Sequence, residues 1–103
     1  REAYFASEPG LALETVRWLR ERDVAFVGSD TWGVEVAPSA SGDVMPLHCV
    51  LLRDLGMPLG EMFVLDELGE MAHELGRAEF HLSCAALRVT GGVGTPVSPI
   101  VTF

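Results

Sequence analysis

"SEPGLALETVRWLRERDVAFVGSD", residues 7–30, is the stretch that decides the fold. Ser7 or Glu8 precedes Pro9, a residue favoured in the first turn of a helix. Leu11, Ala12, Thr15, Val16, Trp18 and Leu19 then form a broad apolar stripe, with Arg17, Arg20 and Glu21 facing outward. The spacing predicts a helix over 7–23. "VAFVGS" (24–29) is a continuous apolar run closed by glycine, the pattern of a short buried strand. A helix feeding directly into such a strand is half of an α/β unit.

Downstream, "APSASGDVMP" (37–46) reads as a loop, rich in small residues, glycine and proline. Pro46 opens a second predicted helix through Leu55, with Gly56 as its stop and Leu47, Val50, Leu51 and Leu55 as its buried stripe. A third helix is expected over 64–76, with Leu65, Leu68, Ala72 and Leu75 on one side. "AEFHLSCAALRV" (78–89) alternates with a period of two, which predicts a strand whose Phe80 and Leu82 face the core. "TGGVGTPVSP" (90–99) is a turn region leading to a last strand, "PIVTF". The expected fold is α/β, with a mixed sheet and packed helices.

Composition narrows the function. Seven Lys+Arg against fifteen Asp+Glu leave a net charge of −8. That argues against nucleic acid, whose phosphates need clustered cations, and against an anionic membrane surface. No apolar run is long enough to span a membrane and no signal peptide opens the chain, so a soluble cytoplasmic protein is the expectation. Cys49 and Cys84 lie too far apart for a metal knuckle, and their apolar neighbours suggest buried free thiols. At 103 residues the chain is expected to be a single unit, yet 49% of it is apolar and its mean hydropathy is +0.29. It opens at Arg1 without methionine and ends within an apolar run, which together read as a piece of something larger.

Chemistry-bearing residues are few. "GGVGTP" (91–96) lacks the lysine of a phosphate loop and no helix follows it, so it is a turn. His73 lies on a polar helix side between Glu70 and Glu74, and no serine or cysteine has the setting of a nucleophile. Asp30 follows the first strand, at the edge where α/β folds place ligands; an Asx-turn that ties its carboxylate to its own backbone is the plainer alternative. Trp32 beside it is either core or pocket wall. His48 flanks the apolar stripe of the second helix, and Glu61 stands beyond the Gly56–Pro58 break. A helix residue and a loop residue can converge there, and nitrogen plus carboxylate oxygen suits zinc or manganese. A core-edge histidine and a solvated acid fit the same spacing.

Three blocks carry a resemblance: Gly28-Ser29-Asp30-Thr31; His48 through Leu51-Leu52, Gly56, Pro58 and Glu61; and Gly92-Val93-Gly94-Thr95-Pro96-Val97. In this order they resemble the putative cyclase family, which includes bacterial kynurenine formamidases, isatin hydrolases and related metal-dependent hydrolases. The resemblance implies a swivelling β/β/α fold, assembled as dimers or tetramers. It also implies hydrolysis of an amide, ester or lactone in a small-molecule substrate at a zinc or manganese centre. Carried over residue by residue, it makes His48 and Glu61 metal ligands and catalytic groups, and places Asp30 and Trp32 at the substrate pocket's rim. The family's principal metal motif, an H-x-x-x-D-x-P-x-H-like segment, does not occur here. The chain therefore resembles the C-terminal half of such a hydrolase, expected to be inactive until an N-terminal half supplies the remaining ligands. A truncated, non-catalytic relative acting as an oligomerisation or interaction module is the alternative.

Overall fold

The computed structural model describes residues 2–103, with side chains from Tyr4 onward. A 3₁₀ turn over Glu2–Phe5 leads to α1 (Thr15–Glu21), β1 (Val27–Gly28), α2 (Pro46–His48, continuing as a π-helix over Cys49–Asp54) and β2 (Leu59–Gly60). Then follow α3 (Asp66–Leu75), β3 (His81–Ser83) and β4 (Ile100–Thr102). The mixed α/β class is borne out, with the two strand directions held in separate sheets. β1 and β2 pair in parallel, and β3 and β4 pair antiparallel. The chain divides into two compact units, residues 1–65 and 66–103.

In the first unit, Leu19 of α1 meets Leu47, Leu51 and Met57, and Leu11, Val16, Val24, Val27 and Leu59 pack around them. The helix is shorter than predicted. Pro9 pushes Glu8 towards extended backbone, and the segment that follows pairs with the chain near residue 35 instead of coiling. Glu8 exchanges both backbone hydrogen bonds with Ala37, at 2.9 and 3.0 Å. The Leu11 amide donates to the Val34 carbonyl at 2.9 Å, and the Val36 amide to the Leu11 carbonyl at 3.0 Å. Gly10 permits this approach: a Cβ there would stand 2.4 Å from the Glu35 carbonyl carbon and 2.5 Å from the Val34 oxygen. Trp18, placed on the apolar stripe by its spacing, lies outside the core with Arg22 stacked 4.3 Å from its ring centroid.

The second helix starts where its sequence says, at Pro46. Its continuation is wider than an α-helix, with the Leu55 amide donating back to Val50. Extra residues per turn rotate Leu55 off the stripe, so Leu47 and Leu51 are fully buried while Leu55 is exposed. Gly56, at φ +64°, ends the helix.

In the second unit, Leu82 faces Val101 in the β3–β4 register and both are half-buried. The predicted strand over 78–89 contracts to three residues. Phe80, expected in the core, is 40% exposed and meets Phe103 edge-on at 5.8 Å. A two-stranded ribbon offers a half-buried face rather than a core. α3 forms as its pattern predicts, with Leu68 and Ala72 half-buried and Leu75 exposed.

Both cysteines are free, as expected, but both are exposed where burial was expected. Cys49 falls between Leu47 and Leu51 on the helix and so points away from their stripe; Cys84 lies just past the last paired residue of β3. Two thiols should accordingly titrate in the native protein without denaturant; finding fewer than two would place one inside. Replacing Gly10 with alanine forces a methyl group into backbone that cannot move aside, and is expected to cost roughly 1–3 kcal/mol. Urea denaturation measures this, and a loss below about 0.5 kcal/mol would show that the segment shifts freely.

Candidate functional site

The two parallel strands run side by side, and both leave the sheet at their carboxyl ends into polar residues. After β1 come Ser29 and Asp30, and after β2 comes Glu61. The chain is stitched together here: the Ser29 amide donates to Gly60 at 3.0 Å, Phe63 to Ser29 at 3.0 Å, and Met62 to Thr31 at 2.8 Å. Glu61 is thereby carried back towards the first turn of α2, where His48 stands.

His48 and Glu61 converge. The Nε2 atom of His48 lies 2.9 Å from Oε1 of Glu61, with the two side chains 19% and 32% exposed. On the other side of the ring, Nδ1 lies 2.6 Å from Oε1 of Glu35. Glu35 is 3% exposed, and no feature of the spacing analysis singled it out. Its signal was nonetheless present, as an acid between Val34 and Val36 in an otherwise apolar run. A buried charge persists only when it is paired and hydrogen-bonded. Glu35 meets that condition: Oε2 accepts from the Leu47 amide at 2.9 Å, and Oε1 accepts from the His48 amide at 3.0 Å as well as facing the ring.

The count of protons follows from these contacts. A neutral imidazole has one N–H, yet both its nitrogens face carboxylate oxygens at hydrogen-bonding distance. A neutral ring therefore donates to only one of the two carboxylates that face it. Nε2 and the Glu61 carboxylate are both donor types that suit zinc or manganese, and they would be the residues to hold such an ion. A histidine tied through Nδ1 to a carboxylate is the arrangement that orients metal-ligating rings. The residues fit two positions of a coordination sphere. Among the described residues, no group of three or more His, Cys, Asp or Glu side chains is placed to hold an ion.

Asp30 and Trp32 do not join this array. Asp30 is exposed, and among the described residues its carboxylate accepts no hydrogen bond. The Asx-turn weighed from sequence is replaced by a serine-based turn, in which Ser29 Oγ accepts from the Thr31 amide at 3.2 Å and bonds the Thr31 hydroxyl at 2.7 Å. Trp32 is half-buried, with its ring edge-on to Phe5 at 5.3 Å. Its amide donates to Oε1 of Glu8, a second buried acid that the sequence did not single out. His73 and His81 are both exposed.

Residues 1–36 match the family model described as putative cyclase. A crystal structure of a novel cyclase superposes on 96% of this chain with a TM-score of 0.86 and 35% sequence identity. The chain spans 32% of that protein's length. No curated protein matches the chain. The family model and the solved cyclase together support membership of the putative cyclase family, the sequence match to the family model being confined to residues 1–36. Among the described residues, no helix is long and apolar enough to cross a membrane.

Proposed function

We propose that this chain is part of a metal-dependent hydrolase of the cyclase type, acting on an amide, ester or lactone bond of a small molecule. The observation that carries the reading is the 2.9 Å approach of His48 Nε2 to Glu61 Oε1 at the carboxyl edge of a parallel strand pair. Zinc or manganese would be held by His48 and Glu61, with its remaining ligands on an N-terminal half of the fold. When bound, such an ion supplies Lewis-acid polarisation of the scissile carbonyl and activation of water for attack.

The chain's own residues then have distinct tasks. His48 presents Nε2 from the first turn of a helix whose buried stripe, Leu47 and Leu51, fixes the backbone. Glu61 stands half-exposed, within reach of both the ring and solvent, where its carboxylate would hold the ion or orient the groups around it. Asp30 and Trp32, near the same strand ends, would border the substrate. The second reading is a non-catalytic module that binds another chain.

The two readings separate in one experiment. Mixing the chain with an N-terminal segment carrying the family's histidine motif, plus Zn²⁺ or Mn²⁺, should yield hydrolysis of aryl formamides or lactones. Glu61→Gln should then lower kcat about 10–100-fold, as loss of a group that holds or orients the metal does, while shifting stability by less than about 1 kcal/mol. A complex that forms but hydrolyses nothing would favour the binding module. Alone, the chain should hold Zn²⁺ weakly, since catalytic zinc sites have three protein ligands.

A further inference from the structure

We infer that Glu35 is a positioning residue, holding the His48 ring with a proton on Nδ1 so that Nε2 is directed at Glu61. The inference rests on the reading of His48 and Glu61 as the reactive pair and adds to it a side chain whose contacts lie on the far side of the ring.

Consider what places the Glu35 carboxylate. A helix leaves its first N–H groups without partners, and here Pro46 occupies the first position and has no N–H to satisfy. The next two donors, the amides of Leu47 and His48, both go to Glu35, at 2.9 and 3.0 Å. Met45, the residue before the helix, makes no side-chain cap, so an acid eleven positions from Pro46 in sequence does that work. Two backbone donors thus fix the carboxylate before the imidazole is considered. The ring then meets an acceptor already in place, at 2.6 Å, the shorter of its two side-chain contacts.

The backbone beneath Glu35 is constrained to the same end. Val34 has φ +54°, a conformation that a β-branched residue adopts only when its surroundings impose it. The surroundings are visible: Val34 is 2% exposed, and the Gly10–Leu11 backbone lies against it through the Leu11 amide bond to its carbonyl. Strain of this kind gathers at functional sites. A helix cap alone would not require it, because serine or aspartate at position 45 would cap the same two amides.

Chemistry distinguishes glutamate from its amide at this position. A carboxylate only accepts; two of its partners are backbone N–H groups, and Nδ1 must carry a proton to bond to it as the third. Glutamine offers one oxygen and one NH₂. Turned towards His48, it sets its NH₂ against the Leu47 amide; turned the other way, it sets its NH₂ against the ring and releases Nδ1 to become the unprotonated nitrogen.

Nitrogen-15 NMR of the chain with labelled histidine tests this without metal. In the native protein, a proton protected from exchange should be found on Nδ1 of His48. In Glu35→Ala, which removes the acceptor, it should lose that protection, while Glu61→Gln should retain it. A native spectrum with the proton on Nε2 and none on Nδ1 overturns the inference, whether or not the variant folds. A folded Glu35→Ala with the protected Nδ1 proton intact also overturns it. A Zn²⁺ titration of the same samples reports separately on the function proposed above. Zn²⁺ should perturb Nε2 and spare Nδ1, and its affinity should fall about 10–100-fold in Glu35→Ala, as for other residues that orient metal ligands. If Zn²⁺ leaves His48 of the native chain unmoved, the metal reading fails, and the proton measurement still decides the role of Glu35.

Discussion

One carboxylate organises the first unit. Glu35 is 3% exposed and accepts from two backbone amides and an imidazole nitrogen, so its charge is compensated only while the segment around 34–37 and the start of α2 stay together. Charge-assisted hydrogen bonds in a buried setting are strong, and removing a partner from a buried charge typically costs about 3–5 kcal/mol. The remaining features of the unit follow from keeping this contact. Gly10 admits the neighbouring backbone, Val34 takes a left-handed conformation, and Leu47 fills the core directly beside one of the donated amides. The apolar cluster of Leu19, Leu47, Leu51 and Met57 is small, so this polar contact carries an unusual share of the unit's specificity.

The same contact couples fold to site. Parallel strands deliver their carboxyl ends to one side, which is where β1 and β2 bring Asp30 and Glu61. A strand pair alone would leave Glu61 a surface acid. It becomes part of a site because α2 begins nearby and because Glu35 turns the first side chain beyond Leu47 towards it. The wide helical turn that follows, over Cys49–Asp54, is of the type that recurs beside functional residues. Here it also moves Leu55 away from the core.

How much of this was legible in the sequence depends on the range over which each signal acts. The start of α2 at Pro46, its end at Gly56 and the extent of α3 are set by local chemistry, and each lies where the sequence puts it. The approach of His48 to Glu61 was open to inference because Gly56 and Pro58 break the helix between them and let the chain return. The first helix was overextended because Leu11 and Ala12 have helical spacing, while the pairing of Leu11 with Glu35 is a contact between distant segments that no local period reveals. Glu8 and Glu35 were missed for a related reason. An acid reads as surface, and only its position among valines, or before a Pro-Gly pair, hints that a partner elsewhere has taken it inside. Phe80 failed in the opposite direction: its alternation is real, but the ribbon has too few strands to bury it.

The array of Glu35, His48 and Glu61 also constrains what can happen at its open end. The buried carboxylate is held by two backbone amides, which leaves the ring and Glu61 as the open side of the array. Of these two, Glu61 is the more exposed, at 32% against 19%. A cation arriving from solvent therefore meets Glu61 and Nε2 first. Glu35, bonded on the far side of the ring and 3% exposed, is the member of the array most removed from solvent.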